Sequence, residues 1–153
     1  MNDQDWLKFW GGLLQRPGIE QIPHYRRPAP PYYYFRVPVL QTKLAKPGSV
    51  YFGFVMQDDS GRVELYINQK DPIENRRIFG TLQQHQADIE ANFGASLVWD
   101  QFARDCRISY TLDRDVFHGW ADAPTHWTAI YDALIAAMIR LVKAILPHLQ
   151  TVQ

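Results

Sequence analysis

The stretch from Ala129 to Leu146 constrains this chain most. It is apolar on most sides, so as a helix it has little surface to offer water and must be surrounded by other parts of the chain. Asp132, Arg140 and Lys143 interrupt it and make it too charged to span a bilayer. It therefore reads as a central buried helix from about Thr125 to Leu146, ended or kinked by Pro147. The chain has 153 residues. That is enough for one domain that buries roughly 70% of its unfolded surface without a disulfide or a metal.

The clearest surrounding element is a hairpin. Val50–Gln57 reads as a strand apolar on both faces, Asp58-Asp59-Ser60-Gly61 as its turn, and Arg62–Asn68 as an alternating strand. Val63, Leu65 and Ile67 point one way; Arg62, Glu64, Tyr66 and Asn68 point the other. Asp105–Leu112 alternates too, with Cys106, Ile108, Tyr110 and Leu112 opposite Arg107, Ser109 and Thr111. Leu97–Trp99 is a shorter strand, and Tyr32–Val37 reads as an edge strand before Pro38. Residues 3–14 form a helix presenting Trp6, Leu7, Phe9, Trp10, Leu13 and Leu14, capped by Asp3 or Asp5 and ended by Pro17-Gly18. Asp71-Pro72 opens another, with Glu74 completing a capping box and Gly94 as its stop. Residues 113–124 read as a loop holding Phe117, His118 and Trp120.

The order α-β-β-β-α-β-β-α predicts an α+β fold: a single, mainly antiparallel sheet with helices packed on it, over residues 1–153. Residues 17–48 are a Pro/Tyr-rich irregular segment and edge strand within that domain.

Charge limits function next. Sixteen basic residues balance sixteen acidic ones, which excludes a polynucleotide binder that works by bulk charge. The balance is uneven along the chain: residues 1–50 carry seven Lys/Arg against three Asp/Glu, and residues 51–100 four against eight. Neutralisation across the fold is the plainer expectation, and a basic patch the alternative. The single cysteine, Cys106, reads as a buried inert thiol, and the five histidines show no metal spacing. The acidic, polar N-terminus lacks a signal-peptide pattern, so the expected location is cytoplasmic, with no membrane association.

Three groups of residues carry candidate chemistry. The polar strand face of Arg62, Glu64, Tyr66 and Arg107, with Ser109 and Thr111, suits phosphate contact plus base stacking; the plain alternative is an outer-face Glu64 paired with Arg62 or, across strands, with Arg107. Tyr25, Arg26 and Arg27, followed by Tyr32, Tyr33, Tyr34, Phe35 and Arg36, interleave bases and rings as single-strand binders and protein interfaces do; the plain alternative is an edge strand packing its tyrosines. The element order also resembles the core of restriction-type nucleases. There Asp58, Glu64 and Lys70 would be the catalytic group, with Mg²⁺ as cofactor, although Tyr66 stands where those enzymes place a lysine. Outside that alternative no cofactor or metal is expected.

Val63-Glu64-Leu65-Tyr66-Ile67, Glu74-Asn75-Arg76-Arg77-Ile78-Phe79, Gln86-Ala87-Asp88-Ile89-Glu90, Phe93-Gly94, Leu97-Val98-Trp99-Asp100 and Cys106-Arg107-Ile108 together resemble a prokaryotic domain-of-unknown-function family. Its members look like VELYI…N…F…IE…G…LxW…RI and occur alone or behind restriction-nuclease-like domains. The resemblance implies a stand-alone copy and a role beside nucleic-acid processing or phage defence. It does not reach residues 17–48. The expected function is a non-enzymatic interaction module with a protein partner or self-association, and with nucleic acid as a further ligand. A metal-dependent nuclease, active or degenerate, and a chaperone-like dimer are the alternatives.

Overall fold

The computed structural model describes residues 1–40, 42–44, 46–120 and 127–152. Among them are five strands: β1 (Tyr34–Pro38), β2 (Val50–Met56), β3 (Gly61–Ile67), β4 (Val98–Gln101) and β5 (Cys106–Thr111). They form one antiparallel sheet in the spatial order β1-β2-β3-β5-β4. Four helices accompany it: α1 (Asp3–Leu14), α2 (Pro72–Gln83), α3 (Gln86–Phe93) and α4 (Trp127–Leu149). The α+β class and the single mainly antiparallel sheet are as the sequence predicts.

The two-residue period of the strands fixes which side is covered. Phe35 and Val37 on β1, Phe52 and Phe54 on β2, Val63, Leu65 and Ile67 on β3, and Cys106 and Ile108 on β5 are all buried on one face. α4 lies against this face, with Leu134, Met138, Leu141 and Ile145 fully buried at helical spacing. Each such side chain contributes about 1.5–3 kcal/mol when removed from water. The central buried helix is therefore real. Its predicted first residues, Thr125 and His126, lie outside the described residues. At its other end it runs through Pro147 to Leu149. Gln150 N still donates to the Leu146 carbonyl at 2.9 Å, so a proline this late costs one bond and does not end the helix.

The helix predicted from Asp71 to Phe93 is two helices. Gln83 to Gln86 offer the core no apolar side chain between Leu82 and Ile89. His85 N donates to the Leu82 carbonyl at 2.9 Å, closing α2, and the His85 carbonyl accepts from Ile89 N at 2.9 Å, opening α3. The bend lays α3 along α4, where Arg140 Nε donates to the Phe93 carbonyl at 2.8 Å and its guanidinium covers the Phe93 ring at 4.3 Å. Gly94, at φ +94°, supplies the left-handed stop. Two caps also differ from expectation. Asn2, not Asp3 or Asp5, caps α1, and Asp5 completes its capping box. Asp71 caps α2, but Glu74 pairs with Arg77 at 2.8 Å and leaves that box open.

α1 seats on α4 through Gly12. A Cβ there would come within 2.8 Å of Tyr131 Cζ and 2.9 Å of Cε2, in a buried ring that has little room to retreat. Gly11 beside it faces open space. Gly12→Ala is thus expected to destabilise by about 1–3 kcal/mol through overpacking, despite alanine's better helix propensity. Gly11→Ala should stabilise by about 0.5–1 kcal/mol. Urea midpoints of the two variants moving in the same direction would contradict this seating.

Candidate binding face

Among the described residues no helix packs on the other face of the sheet. Register places Arg36, Gly53, Glu64 and Ser109 in one cross-strand row, and Pro38, Tyr51, Tyr66, Arg107 and Asp100 in the next. Gly53 is the gap in this surface. A Cβ there would sit 3.2 Å from Arg36 Cγ and 3.6 Å from Glu64 Cγ. Without it, Arg36 crosses over β2 from β1 to reach Tyr66 on β3.

Arg36 ends between two rings. Its guanidinium carbon lies 4.0 Å from the Tyr34 ring centroid and 4.4 Å from that of Tyr66. Tyr32 packs against Tyr34, centroid to centroid at 4.5 Å with the rings tilted by 37°. The result is a column of planar groups, Tyr32, Tyr34, Arg36 and Tyr66. Tyr66 anchors its lower end by donating its hydroxyl to Asp105. Tyr32 forms the other end and is 44% exposed, with Tyr33 beside it at 48%. The Tyr32 carbonyl is pinned by Trp10 Nε1 at 2.7 Å, so this end of the column is held by α1.

The arginines of this face are not equivalent. Arg62 Nε donates to Glu64 at 2.8 Å, and Arg107 reaches Asp100 at 3.3 Å. Arg36 takes part in no ion pair among the described residues, and its Nε is buried without an acceptor. Arg107 Nε on the same face also lacks a protein acceptor, so it is the absence of an ion pair that sets Arg36 apart. None of the four described ion pairs joins residues 1–50 to residues 51–100. Among the described residues no ion pair makes the neutralisation expected between those segments, and Arg26, Arg27 and Arg36 take part in none.

The connector before β1 closes one side. Arg27, Pro28, Pro30 and Tyr32 face Tyr34, Arg36 and Tyr51 across a recess of about 260 Å³. A second recess of about 370 Å³, lined by His24, Tyr25, Arg26, Arg27, Pro38 and Leu40, shares Arg27 with it. Arg26 Nε donates to the Tyr25 hydroxyl at 3.1 Å. The two polar groups read separately from the sequence therefore meet at β1, through Tyr34, Arg36 and Tyr66.

The remaining predicted sites separate. Asp58 is exposed in the β2–β3 loop, Glu64 is mid-strand, and Lys70 lies beyond the other end of β3. Seven strand residues put about 20 Å between those ends. Asp58, Glu64 and Lys70 do not converge, and no group of three or more His, Cys, Asp or Glu among the described residues is placed to hold a metal. Glu64 is only 1% exposed and is bonded to Arg62, so it is neither on open surface nor paired with Arg107. Cys106 is buried, and burial pushes its thiol up to about 11. Reading the sequence did not single out Gly53 or Asp105. A glycine inside a strand of bulky residues is the one signal that marked such a close approach.

Within this face Tyr66 is pushed up to about 12, by burial first and then by its bond to Asp105. Burial moves Tyr131 to about 12 as well. An unfolded tyrosine titrates near 10. From pH 10 to 12 the unfolded chain loses protons that the folded chain keeps, so stability falls as pH rises through that window. Phenolate absorbance should show two of the eight tyrosines ionising late. Eight tyrosines titrating together near 10 would contradict the burial of these two.

Comparison with known proteins decides the family. The model of a domain of unknown function, DUF4268, matches residues 7–149. The chain belongs to this family. The DUF4268 match extends well beyond the resemblance seen in residues 61–112: it takes in the Pro/Tyr-rich segment 17–48, and so the connector and β1. No curated protein and no solved structure matches the chain. No helix among the described residues is long and apolar enough to cross a membrane.

Proposed function

We propose that this chain is a binding module that takes up single-stranded nucleic acid on the β1 side of the open sheet face. The observation that carries this reading is Arg36, stacked between two tyrosines with its charge unpaired. Ring stacking covers both faces of the guanidinium and leaves its N–H edge for a phosphate. The exposed end of the same column, Tyr32, offers a ring on which a base continues the stack, worth about 1–3 kcal/mol per base. Proximity to nucleic-acid processing, as the family resemblance implied, agrees with such a ligand. The separation of Asp58, Glu64 and Lys70 gives the nuclease alternative no support.

Fluorescence anisotropy of a labelled oligothymidylate with the full chain tests it. Affinity is expected to fall as salt rises, with log–log slope of about −0.7 for each phosphate neutralised. Arg36→Ala should weaken binding by about tenfold or more, from the loss of a charge-assisted bond worth about 1.5–3 kcal/mol. No binding at low salt would overturn the reading and turn attention to a protein partner for the same tyrosines and arginines.

A further inference from the structure

We propose that the recess between Arg27 and Arg36 seats the terminal phosphate of the bound strand; this rests on the single-strand reading above and sharpens it to an end-recognising site. Two arginines line the recess and no carboxylate does. Neither arginine is in an ion pair among the described residues. An internal phosphodiester brings one negative charge, whereas a phosphate monoester brings about −1.5 to −2 at neutral pH. Two arginines lining one recess match the charge of the monoester.

Size and wall chemistry agree. At about 260 Å³ the recess is smaller than the ~300–1,000 Å³ pockets that enclose drug-sized ligands. It has room for a phosphate and part of its nucleotide. Pro28 and Pro30 build its outer wall, and their fixed φ means that little backbone order must be gained on binding. Tyr32 lines the same recess, so the terminal base can stack on its ring while the phosphate reaches the arginines.

The test uses the full chain and labelled oligothymidylates of one length with a 5′-phosphate, a 3′-phosphate or hydroxyls at both ends. One phosphorylated form should bind about tenfold tighter than the hydroxyl form, the effect of one added charge-assisted contact. Inorganic phosphate should compete against that preference before it displaces the hydroxyl-ended strand. Arg27→Ala should abolish the preference while the hydroxyl-ended strand still binds. Arg27 is exposed, so an unchanged urea midpoint shows that the variant is folded. Three equal affinities would overturn the proposal while leaving the single-strand reading intact. An Arg27→Ala loss shared equally by all three oligomers would overturn it too, making Arg27 an ordinary backbone contact. Absence of binding by every oligomer would instead defeat the reading on which it rests.

Discussion

Asn75→Asp is expected to destabilise the fold by about 4–6 kcal/mol, most of the ~5–15 kcal/mol that holds a domain together. Asn75 is completely buried on α2. Its amide nitrogen donates to the Gln69 carbonyl at 3.0 Å and to the Arg104 carbonyl at 2.7 Å, and its oxygen accepts from Gln69 N at 2.6 Å. One side chain thereby joins the β3–α2 connection to the β4–β5 loop. Aspartate keeps the shape but aims a carboxylate at two carbonyls. Both are left unpaired, at about 1–3 kcal/mol each, and a buried charge is added. Burial disfavours the ionised form of the substituted carboxyl, so its folded pKa lies above the unfolded value of about 3.9. The damage is therefore full above the folded pKa and shrinks as pH falls through it. Urea denaturation at several pH values reads both effects. A near-wild-type midpoint at pH 7 would show that Asn75 does not bridge these loops.

Phe9→Ala should cost about 3–5 kcal/mol. Phe9 is fully buried, and its ring lies 4.8 Å from Trp10, 5.1 Å from Tyr131, 5.2 Å from Trp127 and 5.3 Å from Trp120. Edge-on aromatic pairs add about 0.5–1.5 kcal/mol each beyond their area, and alanine forfeits several at once. Phe9→Leu keeps most of the volume and should cost less than about 1.5 kcal/mol. The tryptophans themselves report the change: near-ultraviolet circular dichroism should collapse in the alanine variant and persist in the leucine one. Equal losses in the two variants would mean that the aromatic ring itself, not its volume, holds the cluster.

These positions show where the sequence is readable. The period of β3 and β5 names their buried residues directly, because alternation and burial are the same fact. α4 is equally plain, since a helix apolar on most sides has one destination. The break at His85 is visible only as a lack of apolar residues, which periodicity reads weakly. Asn75 looked like one more polar residue beside a helix stripe; its importance lies in three backbone groups that only the fold brings near it. The binding face is the extreme case. Tyr34 and Arg36 fall in one candidate group of the sequence and Tyr66 in another, with nothing in the sequence to join them. They become one column because Gly53 opens β2 and the β1–β2–β3 register aligns them. Part of the aromatic excess packs around Phe9, as Trp10, Trp120, Trp127 and Tyr131 do, and another part, Tyr32, Tyr34 and Tyr66, stands in this column.

The nitrogen-15 spectrum of the arginine side chains, recorded during titration with an oligothymidylate, tests that column most directly. The Arg36 Nε–H has no acceptor among the described residues, whereas the Arg62 Nε–H is engaged by Glu64. A shift of the Arg36 signal that saturates with the oligomer, larger than that of Arg62, is the result the stacked, unpaired guanidinium predicts. An Arg36 signal that stays in place while the oligomer binds would contradict it.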